Sequence, residues 1–286
     1  MPKLWPVHYV LGVAGVALIR NWMAGGETAQ SCADELFRVT KAFQEDPRLQ
    51  FELDIPDMEV RSGYELWAET YDDLHNPLIA VEEPVIDRVL DSIPAGRALD
   101  AACGTGRYTR YLRARGHQVS AVDVSPEMIA KARSSAPDVE FKSASLEALP
   151  FEAQSFDVVT CGLALTHLPE LTKAISEIGR VLKPGGHAIL ADHHPVAGFL
   201  GGSAFFRDRE GAFRNVKSYV HPISKYIAAF KAADLEIQEC FEPELTEEQI
   251  AHSAMFAIAP EAYRKGGVGM PFGLIWVLTR RQPSPA

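Results

Sequence analysis

The stretch LDAACGTGRYT at residues 99–109 decides how this chain folds. A short apolar run leads to an acidic residue, then to small residues, the turn Gly-Thr-Gly and the start of a helical pattern. This order is typical of the first strand, turn and helix of an open parallel sheet, in which ligands bind beyond the carboxyl ends of the strands. Gly104 and Gly106 let the backbone approach a ligand closely, and the helix start offers free N–H groups to an anionic group. The stretch therefore predicts a binding site at this turn.

The residues that follow the turn narrow the kind of ligand. A dinucleotide-binding fingerprint continues to a third small residue three positions after Gly106, but that position holds Thr109. Asp123, at the end of the second predicted strand, is placed to accept hydrogen bonds from both hydroxyls of a ribose. Nicotinamide, flavin and S-adenosyl cofactors all carry such a ribose. A nicotinamide oxidoreductase is therefore disfavoured but stays an alternative.

From about Arg97 onward, short apolar runs alternate with amphipathic helical patterns, which indicates an α/β fold with a mainly parallel sheet. The predicted strands are RALDAA, HQVSAVD, VEFKSAS, SFDVVTCGLAL, HAILAD, LEIQECF and FGLIWVLT. The predicted helices are RYTRYLRARG, SPEMIAKARSS, LTKAISEIGRVL and ISKYIAAFKAAD. We expect the third of these helices to stop at the turn Lys183-Pro184-Gly185-Gly186.

The chain divides into two predicted parts. Residues 1–60 show helical patterns and no strand alternation, so we expect a helical N-terminal extension that acts as a cap or as the arm of a homodimer. Its last part, DPRLQFELDIPDMEV at residues 46–60, is expected to be a turn-rich link. Residues 61–282 form the predicted α/β domain. Within it, residues 195–222 are an apparent insertion that is expected to be a substrate lid or a surface hairpin.

Composition and charge limit the classes of partner. The 28 Lys and Arg residues against 38 Asp and Glu give a net charge of −10, so no general attraction to nucleic acid or to an anionic membrane is expected. The cysteines Cys32, Cys103, Cys161 and Cys240 show no metal-site spacing and are expected to be reduced thiols in a cytoplasmic protein. The apolar run VLGVAGVALI is too short to span a membrane and lacks the features of a signal peptide, so it predicts a buried helix.

Five motifs occur in order along residues 65–192: LDAACGTGRYTRYL, VDVSPEMIAKAR, LEALPFEAQSFDVV, LALTHLPEL and EIGRVLKPGG. With them the chain resembles the class I S-adenosylmethionine-dependent methyltransferases, in particular the small-molecule group typified by the ubiquinone and menaquinone biosynthesis methyltransferases. The resemblance implies a Rossmann-like sheet of seven mainly parallel strands with an antiparallel last strand. It also implies S-adenosyl-L-methionine as cofactor, S-adenosyl-L-homocysteine as product, and methyl transfer to an O, N or C atom of a small molecule.

The resemblance assigns the amino-acid end of the cofactor to residues that follow the first and fourth strands. Ala102, Gly104 and Gly106 would pass beneath this end. Cys161 with Gly162 would line the methionine moiety.

The ribose and adenine contacts that the resemblance implies follow the second and third strands. Asp123 would bind the ribose. Val124 and Met128 would sandwich the adenine, although the helical spacing of Met128 is also explained by core packing. Leu146 would donate its backbone N–H to the adenine ring. Ser145 stands where the family often has an acidic residue that holds the adenine amino group, and a hydroxyl accepts that hydrogen bond less strongly.

Two further positions complete the implied cofactor site. Asp100 directly precedes the small residues of the turn, and Tyr71 in AETYDDL matches an aromatic residue that the family often folds over the cofactor. Tyr64, Trp67 and Tyr71 recur at intervals of three and four residues, which is typical of a helix that buries an aromatic stripe. Core packing is therefore the expected role of Trp67.

Three histidines are the candidate catalytic residues: His167 after the fourth strand, and His193 and His194 after the fifth. A histidine with a pKa of about 6.5 can accept a proton at neutral pH, and carboxyl-end loops hold substrates in this architecture. We predict that His193 or His194 is a general base; the alternative is that each is ordinary polar surface. Because a sulfonium already carries an activated methyl, the protein must mainly position a small, partly apolar or aromatic acceptor and exclude water.

Two other classes of function stay open. A nucleic-acid methyltransferase would hold a flipped base amine with an Asn/Asp-Pro-Pro-aromatic run, whereas the corresponding stretch here is CGLALTHL. Together with the acidic charge, this predicts no nucleic-acid partner, and no membrane partner is expected. A class I fold that binds the cofactor without transferring a methyl, as a cyclase or a binding protein, fits the same residues.

Overall fold

The computed structural model describes residues 3–4, 6–23, 28–45, 53–73, 76–251 and 260–282. Its helices are α1 Pro6–Met23, α2 Thr28–Glu45, α3 Val60–Trp67, α4 Pro77–Asp91, α5 Arg107–Ala114, α6 Pro126–Ser135, α7 Thr172–Val181, α8 Pro195–Phe199, α9 Ile223–Ala232, α10 Glu247–Ala251 and α11 Pro260–Gly267. Its strands are β1 Lys3–Leu4, β2 Leu53–Asp54, β3 Asp57–Met58, β4 Arg97–Ala101, β5 Gln118–Asp123, β6 Glu140–Ser143, β7 Phe156–Gly162, β8 Leu182–His193, β9 Ala204–Arg207, β10 Phe213–Val216, β11 Leu235–Phe241 and β12 Gly273–Arg280.

Seven strands form one sheet in the spatial order β11-β12-β8-β7-β4-β5-β6. The neighbours from β8 to β6 are parallel, whereas β12 is antiparallel to both β8 and β11. The predicted Rossmann-like α/β fold with an antiparallel last strand is therefore confirmed. The chain passes from β6 back across β4 to β7, so the strand order reverses between β4 and β7. At such a reversal the connections leave toward opposite faces and open a crevice at the carboxyl ends of the strands.

Apolar side chains cover both faces of this sheet. On one face, α7 and α9 bury Ile175 and Phe230, and the Phe230 ring lies 5.2 Å from the Trp276 ring of β12. On the other face, α4 and α5 bury Ile86 and Leu112. Because both faces of the sheet are covered, the sequence of β12 is a nearly continuous apolar run, GLIWVLT. The two buried layers hold the strand ends, and therefore the loops that follow them, in fixed positions.

The end of the third predicted helix differs from the expectation. α7 ends close to the predicted position, but β8 begins at Leu182 and already contains the Lys-Pro-Gly-Gly run that we predicted as a turn. Leu182 pairs with Phe156 of β7, and the Lys183 ammonium lies 2.7 Å from the Asp157 carboxylate. Gly185, with φ 80°, supplies a left-handed backbone conformation inside the strand. The register with β7 shifts between Leu182 and His187, so the predicted turn is an irregularity within β8 rather than its boundary.

The link and the insertion form a second sheet of three strands. β10 pairs in parallel with β3 and antiparallel with β9. β3 lies in the segment predicted as a turn-rich link, and a strand of two residues shows no alternation by which it could be recognised. The Phe206 ring of β9 stacks on the Trp67 ring of α3 with 4.7 Å between their centroids. The second sheet is thereby fixed against α3, while the role of residues 195–222 as a lid and the domain boundaries stay predictions.

The N-terminal apolar run forms a helix, α1, as predicted, but of its described residues only Ala14 and Ala17 are buried, and Ile19 is exposed. α1 packs against α11. A Cβ atom on Gly266 would lie 2.7 Å from the Val13 carbonyl oxygen, so the two helices approach each other backbone to backbone. The Arg20 guanidinium donates a hydrogen bond of 2.8 Å to the Val268 carbonyl. The described part of the N-terminal extension is therefore joined to the end of the α/β domain.

The sequence also led to predictions about membrane-spanning helices and about the cysteines. None of the described helices is both long and apolar enough to cross a membrane. Cys103 and Cys161 are buried free thiols, and Cys240 is an exposed one. The side chain of Cys32 lies outside the described residues.

Candidate functional site

Two adjoining cavities open at the carboxyl ends of β4, β5, β7 and β8. We call the first the turn cavity because it lies against the turn at Gly104. We call the second the histidine cavity because His167 and His193 line it. The residues that line both cavities are Tyr64, Tyr71, Leu163 and His167. The crevice expected from the strand order therefore consists of two compartments with a common wall.

Most of the residues predicted to contact a cofactor line the turn cavity: Tyr71, Ala102, Gly104, Asp123, Val124, Ser145, Leu146 and Gly162. Asp100, Gly106, Met128 and Cys161 do not line it. Met128 and Cys161 are fully buried in the core, and Gly106, with φ 87°, turns the chain into α5. Eight of the twelve predicted residues thus line one cavity, and the contacts of each residue with a cofactor stay predictions.

Asp100 ties the turn to the helix that follows it. Its buried carboxylate accepts a hydrogen bond of 2.7 Å from the Thr109 hydroxyl and one of 3.3 Å from the Thr160 hydroxyl. Burial raises the pKa of Asp100 to about 6, although both hydroxyl groups stabilise the charged form. Thr109 therefore joins α5 to β4, which explains why a threonine occupies the position at which a dinucleotide fingerprint has a small residue.

Asp123 presents a carboxylate to the turn cavity. One of its oxygens accepts the Gly104 N–H at 2.8 Å, and the other accepts the Ser125 N–H at 2.9 Å. Burial raises the pKa of Asp123, whereas these backbone N–H groups act in the opposite direction. Each oxygen keeps lone-pair capacity for a further donor. The side chain is therefore held in place and can accept two more hydrogen bonds from a ligand.

The backbone at the turn cavity is strained at two residues that are not glycine. Ala102 has φ 62° directly after β4, and Leu163 has φ 57° directly after β7. This left-handed conformation costs a residue with a Cβ roughly 1–2 kcal/mol. Both residues line the cavity. Strain of this kind persists where the surrounding structure imposes it, and it is often found at ligand sites.

Replacing Ala102 with glycine should raise the free energy of unfolding by about 0.5–1 kcal/mol. Glycine removes the roughly 1–2 kcal/mol cost of the left-handed conformation but loses about 0.5–1 kcal/mol of chain entropy on folding. The matched control is Ala101→Gly, at a buried position without positive φ, which should lower the free energy of unfolding by about 1 kcal/mol. Urea unfolding without ligand measures both values, and an equal loss in both variants would mean that Ala102 carries no strain.

A buried ion pair lies beside the start of α5. The Arg107 guanidinium binds Glu82 Oε1 through Nη2, and the Tyr108 hydroxyl donates to the same oxygen at 3.1 Å. Glu82 Oε2 and Arg107 Nη1 are buried and have no hydrogen-bond partner within the part of the chain that the structure describes. An unused buried acceptor and an unused buried donor are costly unless a ligand or water satisfies them.

Tyr64 and His167 form a hydrogen-bonded pair in the wall between the two cavities. The Tyr64 hydroxyl lies 2.8 Å from His167 Nε2, and His167 Nδ1 lies 2.8 Å from the Lys217 carbonyl oxygen. Because a carbonyl only accepts, Nδ1 carries the proton and Nε2 accepts the hydrogen bond from Tyr64. Burial lowers the pKa of His167, which favours this neutral form. The lone pairs of the Tyr64 oxygen stay available to a molecule in either cavity.

Sequence reasoning missed the role of Tyr64. Its spacing predicted the aromatic stripe of α3, and the structure does stack the Tyr64 and Trp67 rings at 5.6 Å. The partner of its hydroxyl, however, lies 103 residues away. A local pattern contains no signal for such a pair.

His193 and His194 point to different places. His193 lines the histidine cavity, its ring packs edge-on against Phe272 at 5.2 Å, and burial lowers its pKa to about 4. His194 lines neither the turn cavity nor the histidine cavity. Its Nδ1 accepts the Val196 N–H at the start of α8, so its Nε2 donates to the Glu242 carboxylate at 3.0 Å. Both ring nitrogens of His194 are thereby engaged, while the ring of His193 faces a cavity.

Asp192 adds a carboxylate to the histidine cavity. It accepts a hydrogen bond of 2.6 Å from the Tyr226 hydroxyl and one of 2.9 Å from the His193 backbone N–H. Burial raises the pKa of Asp192 to about 6 in spite of these donors. Aromatic side chains of Trp67, Phe205 and Phe272 also line this cavity. It therefore combines apolar walls with a few polar groups, as sites for small molecules do.

The family model described as a methyltransferase domain matches residues 99–190. The chain is 38% identical over 115 residues to a demethylmenaquinone methyltransferase from Renibacterium salmoninarum; the match covers 40% of this chain and 48% of that protein. This chain thus spans about half the length of that relative. It is 31% identical over 175 residues to a ubiquinone biosynthesis O-methyltransferase from Xanthomonas campestris pv. campestris, covering 57% of this chain and 73% of that protein.

Solved structures support the same fold. An S-adenosylmethionine-dependent methyltransferase from Mesorhizobium loti aligns with a TM-score of 0.54 and 23% identity over 72% of this chain and 100% of that chain. The two relatives are named for different pathways. Their similarity to this chain therefore does not identify the acceptor of this chain. Because the match to the ubiquinone biosynthesis O-methyltransferase is 31% identical and covers 73% of that protein, this chain belongs to the class I S-adenosylmethionine-dependent methyltransferases.

Proposed function

We propose that this chain is an enzyme that transfers a methyl group from S-adenosyl-L-methionine to an O, N or C atom of a small, partly apolar or aromatic molecule. One observation carries the proposal. The cavity that holds the Asp123 carboxylate shares a wall with a cavity that holds neutral histidines, and Leu163, Tyr64 and His167 belong to that wall. A cofactor in the first and an acceptor in the second would therefore meet.

The residues of the turn cavity fit S-adenosyl-L-methionine. Asp123 can accept two hydrogen bonds from ribose hydroxyls, and the space around Gly104 is open, because an added Cβ would meet nothing within 4 Å. Glu82 Oε2 lacks a hydrogen-bond donor and Arg107 Nη1 lacks an acceptor in the described chain, but neither residue lines the turn cavity. Tyr71 lines the turn cavity and lines a further cavity together with Arg107, and burial raises the pKa of Tyr71 to about 12.

The chemistry of the site divides between the cofactor and the chain. When bound, S-adenosyl-L-methionine supplies a methyl group on a sulfonium, which is already activated for displacement. The walls formed by Trp67, Phe205 and Phe272 would exclude water and orient an apolar or aromatic acceptor. For a hydroxyl or ammonium acceptor, the chain must also supply a group that accepts the proton lost by the acceptor.

Tyr64 and His167 together form this proton-accepting group. We assign the base to His167 acting through Tyr64: the Tyr64 oxygen takes the proton of the acceptor as its own proton moves to His167 Nε2. The charge that develops on the imidazole is stabilised by the hydrogen bond from Nδ1 to the Lys217 carbonyl. His193 also lines the cavity and stays a second candidate. His194, which the sequence favoured together with His193, becomes the least favoured of the three, because both of its nitrogens are already bonded.

The remaining predictions concern the surroundings of the site. Residues 195–222 are proposed to cover the acceptor, which is supported by Ser203, Ala204 and Phe205 in the wall of the histidine cavity. The extension at residues 1–60 is proposed as a cap or the arm of a homodimer. A cytoplasmic location, a place in bacterial secondary metabolism and the absence of nucleic-acid and membrane partners stay predictions.

The experiment that tests the proposed function is a titration followed by an acceptor screen. The purified chain should bind S-adenosyl-L-methionine and S-adenosyl-L-homocysteine and should not bind NADH in isothermal titration calorimetry. Small aromatic and apolar hydroxyl compounds should then acquire a labelled methyl group. Tight S-adenosyl binding without label in any product would support a non-methylating reaction or a binding protein, and tight NADH binding would support an oxidoreductase.

A further inference from the structure

The wall of the histidine cavity is negatively charged. Among the described residues that line this cavity, Asp192 is the one acid, and none is Lys or Arg. Burial lowers the pKa of both His167 and His193, so their imidazoles are neutral at pH 7. A molecule in this cavity therefore meets the charge of Asp192 without a cation from the described wall to offset it.

The groups that bind the Asp192 carboxylate are all uncharged. The Tyr226 hydroxyl donates to Oδ2 at 2.6 Å, the His193 backbone N–H donates to Oδ1 at 2.9 Å, and the Thr166 backbone also stabilises the charged form. Burial raises the pKa of Asp192 to about 6, so at pH 7 most of it is still a carboxylate. Three donors leave at least one of its roughly four lone-pair positions available.

Two other buried acids show what distinguishes Asp192. Glu82 has a cationic partner, the Arg107 guanidinium. Asp100 is bound by hydroxyl groups, as Asp192 is, but it lines neither the turn cavity nor the histidine cavity. Of these three acids, only Asp192 combines a charge without a cationic partner with a position in a cavity wall. Because a buried charge is costly unless an opposite charge pairs with it, a cation in the histidine cavity would stabilise the site.

The other walls of the histidine cavity are compatible with a cation. The aromatic residues that line it are Tyr64, Trp67, Tyr71, Phe205 and Phe272. The faces of aromatic rings attract ammonium groups, because the ring quadrupole is negative there. An anionic group would instead be repelled by Asp192. The cavity therefore favours a molecule that joins an aromatic or apolar body to a positively charged group.

We infer that the methyl acceptor carries a protonated amine, which Asp192 binds while a hydroxyl of the same molecule lies beside Tyr64. This inference rests on the proposed function and narrows it to hydroxyl compounds with an amine. Thr166, whose backbone stabilises Asp192, directly precedes His167, so one small molecule can contact both ends of the cavity. A protonated amine has no lone pair and cannot accept a methyl group while Asp192 holds it. The accepting atom is therefore the hydroxyl oxygen.

In the resulting reaction, each proton and electron pair has a defined destination. The acceptor hydroxyl gives its proton to the Tyr64 oxygen as the Tyr64 proton moves to His167 Nε2. The acceptor oxygen uses a lone pair to form the new O–C bond, and the electron pair of the broken C–S bond stays on sulfur, which yields S-adenosyl-L-homocysteine. The amine keeps its proton throughout. Asp192 thus determines specificity and is not the base.

The probes are three amines and their neutral counterparts, titrated into the full-length chain in the presence of S-adenosyl-L-homocysteine. The amines are 4-hydroxybenzylamine, tyramine and 3-(4-hydroxyphenyl)propylamine, which differ in the distance between ring and nitrogen. The counterparts 4-ethylphenol, 4-propylphenol and 4-butylphenol have a methyl group in place of the amine. At least one amine should bind tenfold more tightly than its counterpart, because a bond to the buried carboxylate outweighs the lost apolar contact. If every neutral phenol binds as tightly as its amine, the inference is overturned.

Asp192→Asn and Tyr226→Phe are the matched variants. Asparagine keeps the shape of Asp192 but removes its charge, whereas Tyr226→Phe removes one hydrogen bond to Asp192 and keeps the charge. Asp192→Asn should weaken binding of the preferred amine at least tenfold and of its neutral counterpart less than threefold, while Tyr226→Phe retains the preference. An equal loss of preference in both variants would assign the preference to local packing and overturn the inference. If Asp192→Asn does not fold, the comparison of probes on the unchanged chain decides.

The position of the methyl group in the product is a second readout. With labelled S-adenosyl-L-methionine, the preferred amine should yield an O-methyl ether. An N-methyl product would overturn the inference, because it requires a nitrogen that has lost its proton.

Titration of the cofactor into the same samples separates the inference from the proposed function. Asp192 does not line the turn cavity, so S-adenosyl-L-methionine should bind equally to Asp192→Asn and the unchanged chain. A loss for S-adenosyl-L-methionine but not for S-adenosyl-L-homocysteine would assign the charge of Asp192 to the sulfonium and overturn the inference. Failure of the unchanged chain to bind the cofactor, with the amine preference intact, would contradict the proposed methyl transfer alone. Labelled phenols without any preference for amines would contradict the inference alone.

Discussion

Replacing Asp123 with alanine should weaken the binding of S-adenosyl-L-methionine at least 100-fold, which corresponds to about 2.7 kcal/mol. The carboxylate has capacity for two hydrogen bonds from ribose hydroxyls, and hydrogen bonds to charged groups contribute about 1.5–3 kcal/mol each. It also holds the Gly104 N–H at 2.8 Å, so the variant loses part of the support of the turn. Isothermal titration calorimetry with S-adenosyl-L-methionine and S-adenosyl-L-homocysteine measures the loss.

Asp157→Ala is the matched control for this variant. Asp157 also accepts a backbone N–H, that of Arg97 at 2.9 Å, and it binds the Lys183 ammonium. It lies near the amino end of β7, at the opposite edge of the sheet from the turn cavity. Asp157→Ala should therefore lower stability without changing the affinity for the cofactor. An Asp123→Ala variant that binds within threefold of the unchanged chain would contradict the assignment of the ribose to Asp123.

The parts of the site that the sequence predicted are those that local residues determine. The turn at Gly104 and the acidic end of β5 each depend on residues that are close together along the chain. The alternation of strands and helices predicted a mainly parallel sheet, whereas the seven strands and the antiparallel last strand were implied by the resemblance. The turn and the acidic strand end could be read from residues 99–123 alone.

The parts that the sequence did not predict depend on pairs that are distant along the chain. The Tyr64 hydroxyl bonds to a ring 103 residues away, and Asp57 of β3 bonds to a side chain 158 residues away. From the sequence, Thr109 was interpreted only as a departure from a dinucleotide fingerprint. Its bond to Asp100 in the structure shows why a hydroxyl is placed there. A residue type at one position does not specify which of many distant partners it will meet.

Replacing His167 with glutamine should lower kcat for a hydroxyl acceptor by about 100-fold or more, because general base catalysis typically contributes 10²–10⁴. Tyr64→Phe should lower kcat by a similar factor, since it removes the oxygen through which the proton would pass. The double variant should lose no more than either single variant, because residues that act as one unit are not additive. Losses that multiply in the double variant would contradict the joint action of Tyr64 and His167.

The control for a merely structural effect is His221→Gln. His221 is as buried as His167 and its Nε2 lies 2.8 Å from the Leu168 carbonyl, yet it lines neither the turn cavity nor the histidine cavity. We expect kcat of this variant to stay within threefold of the unchanged chain. If His221→Gln lost as much activity as His167→Gln, loss of packing rather than of a base would explain both.

The pH dependence of kcat distinguishes the base from a group that only shapes the cavity. Burial lowers the pKa of His167, so its neutral, proton-accepting form persists below pH 6.5, and kcat should be constant from pH 7 to 8 and fall only below pH 6.5. In His167→Gln that decline should disappear together with most of the activity. A decline that persists in His167→Gln and moves in His193→Gln would transfer the role to His193, whose pKa burial lowers to about 4 and whose ring lines the same cavity. The variant that removes the decline would therefore identify which of the two buried imidazoles accepts the proton.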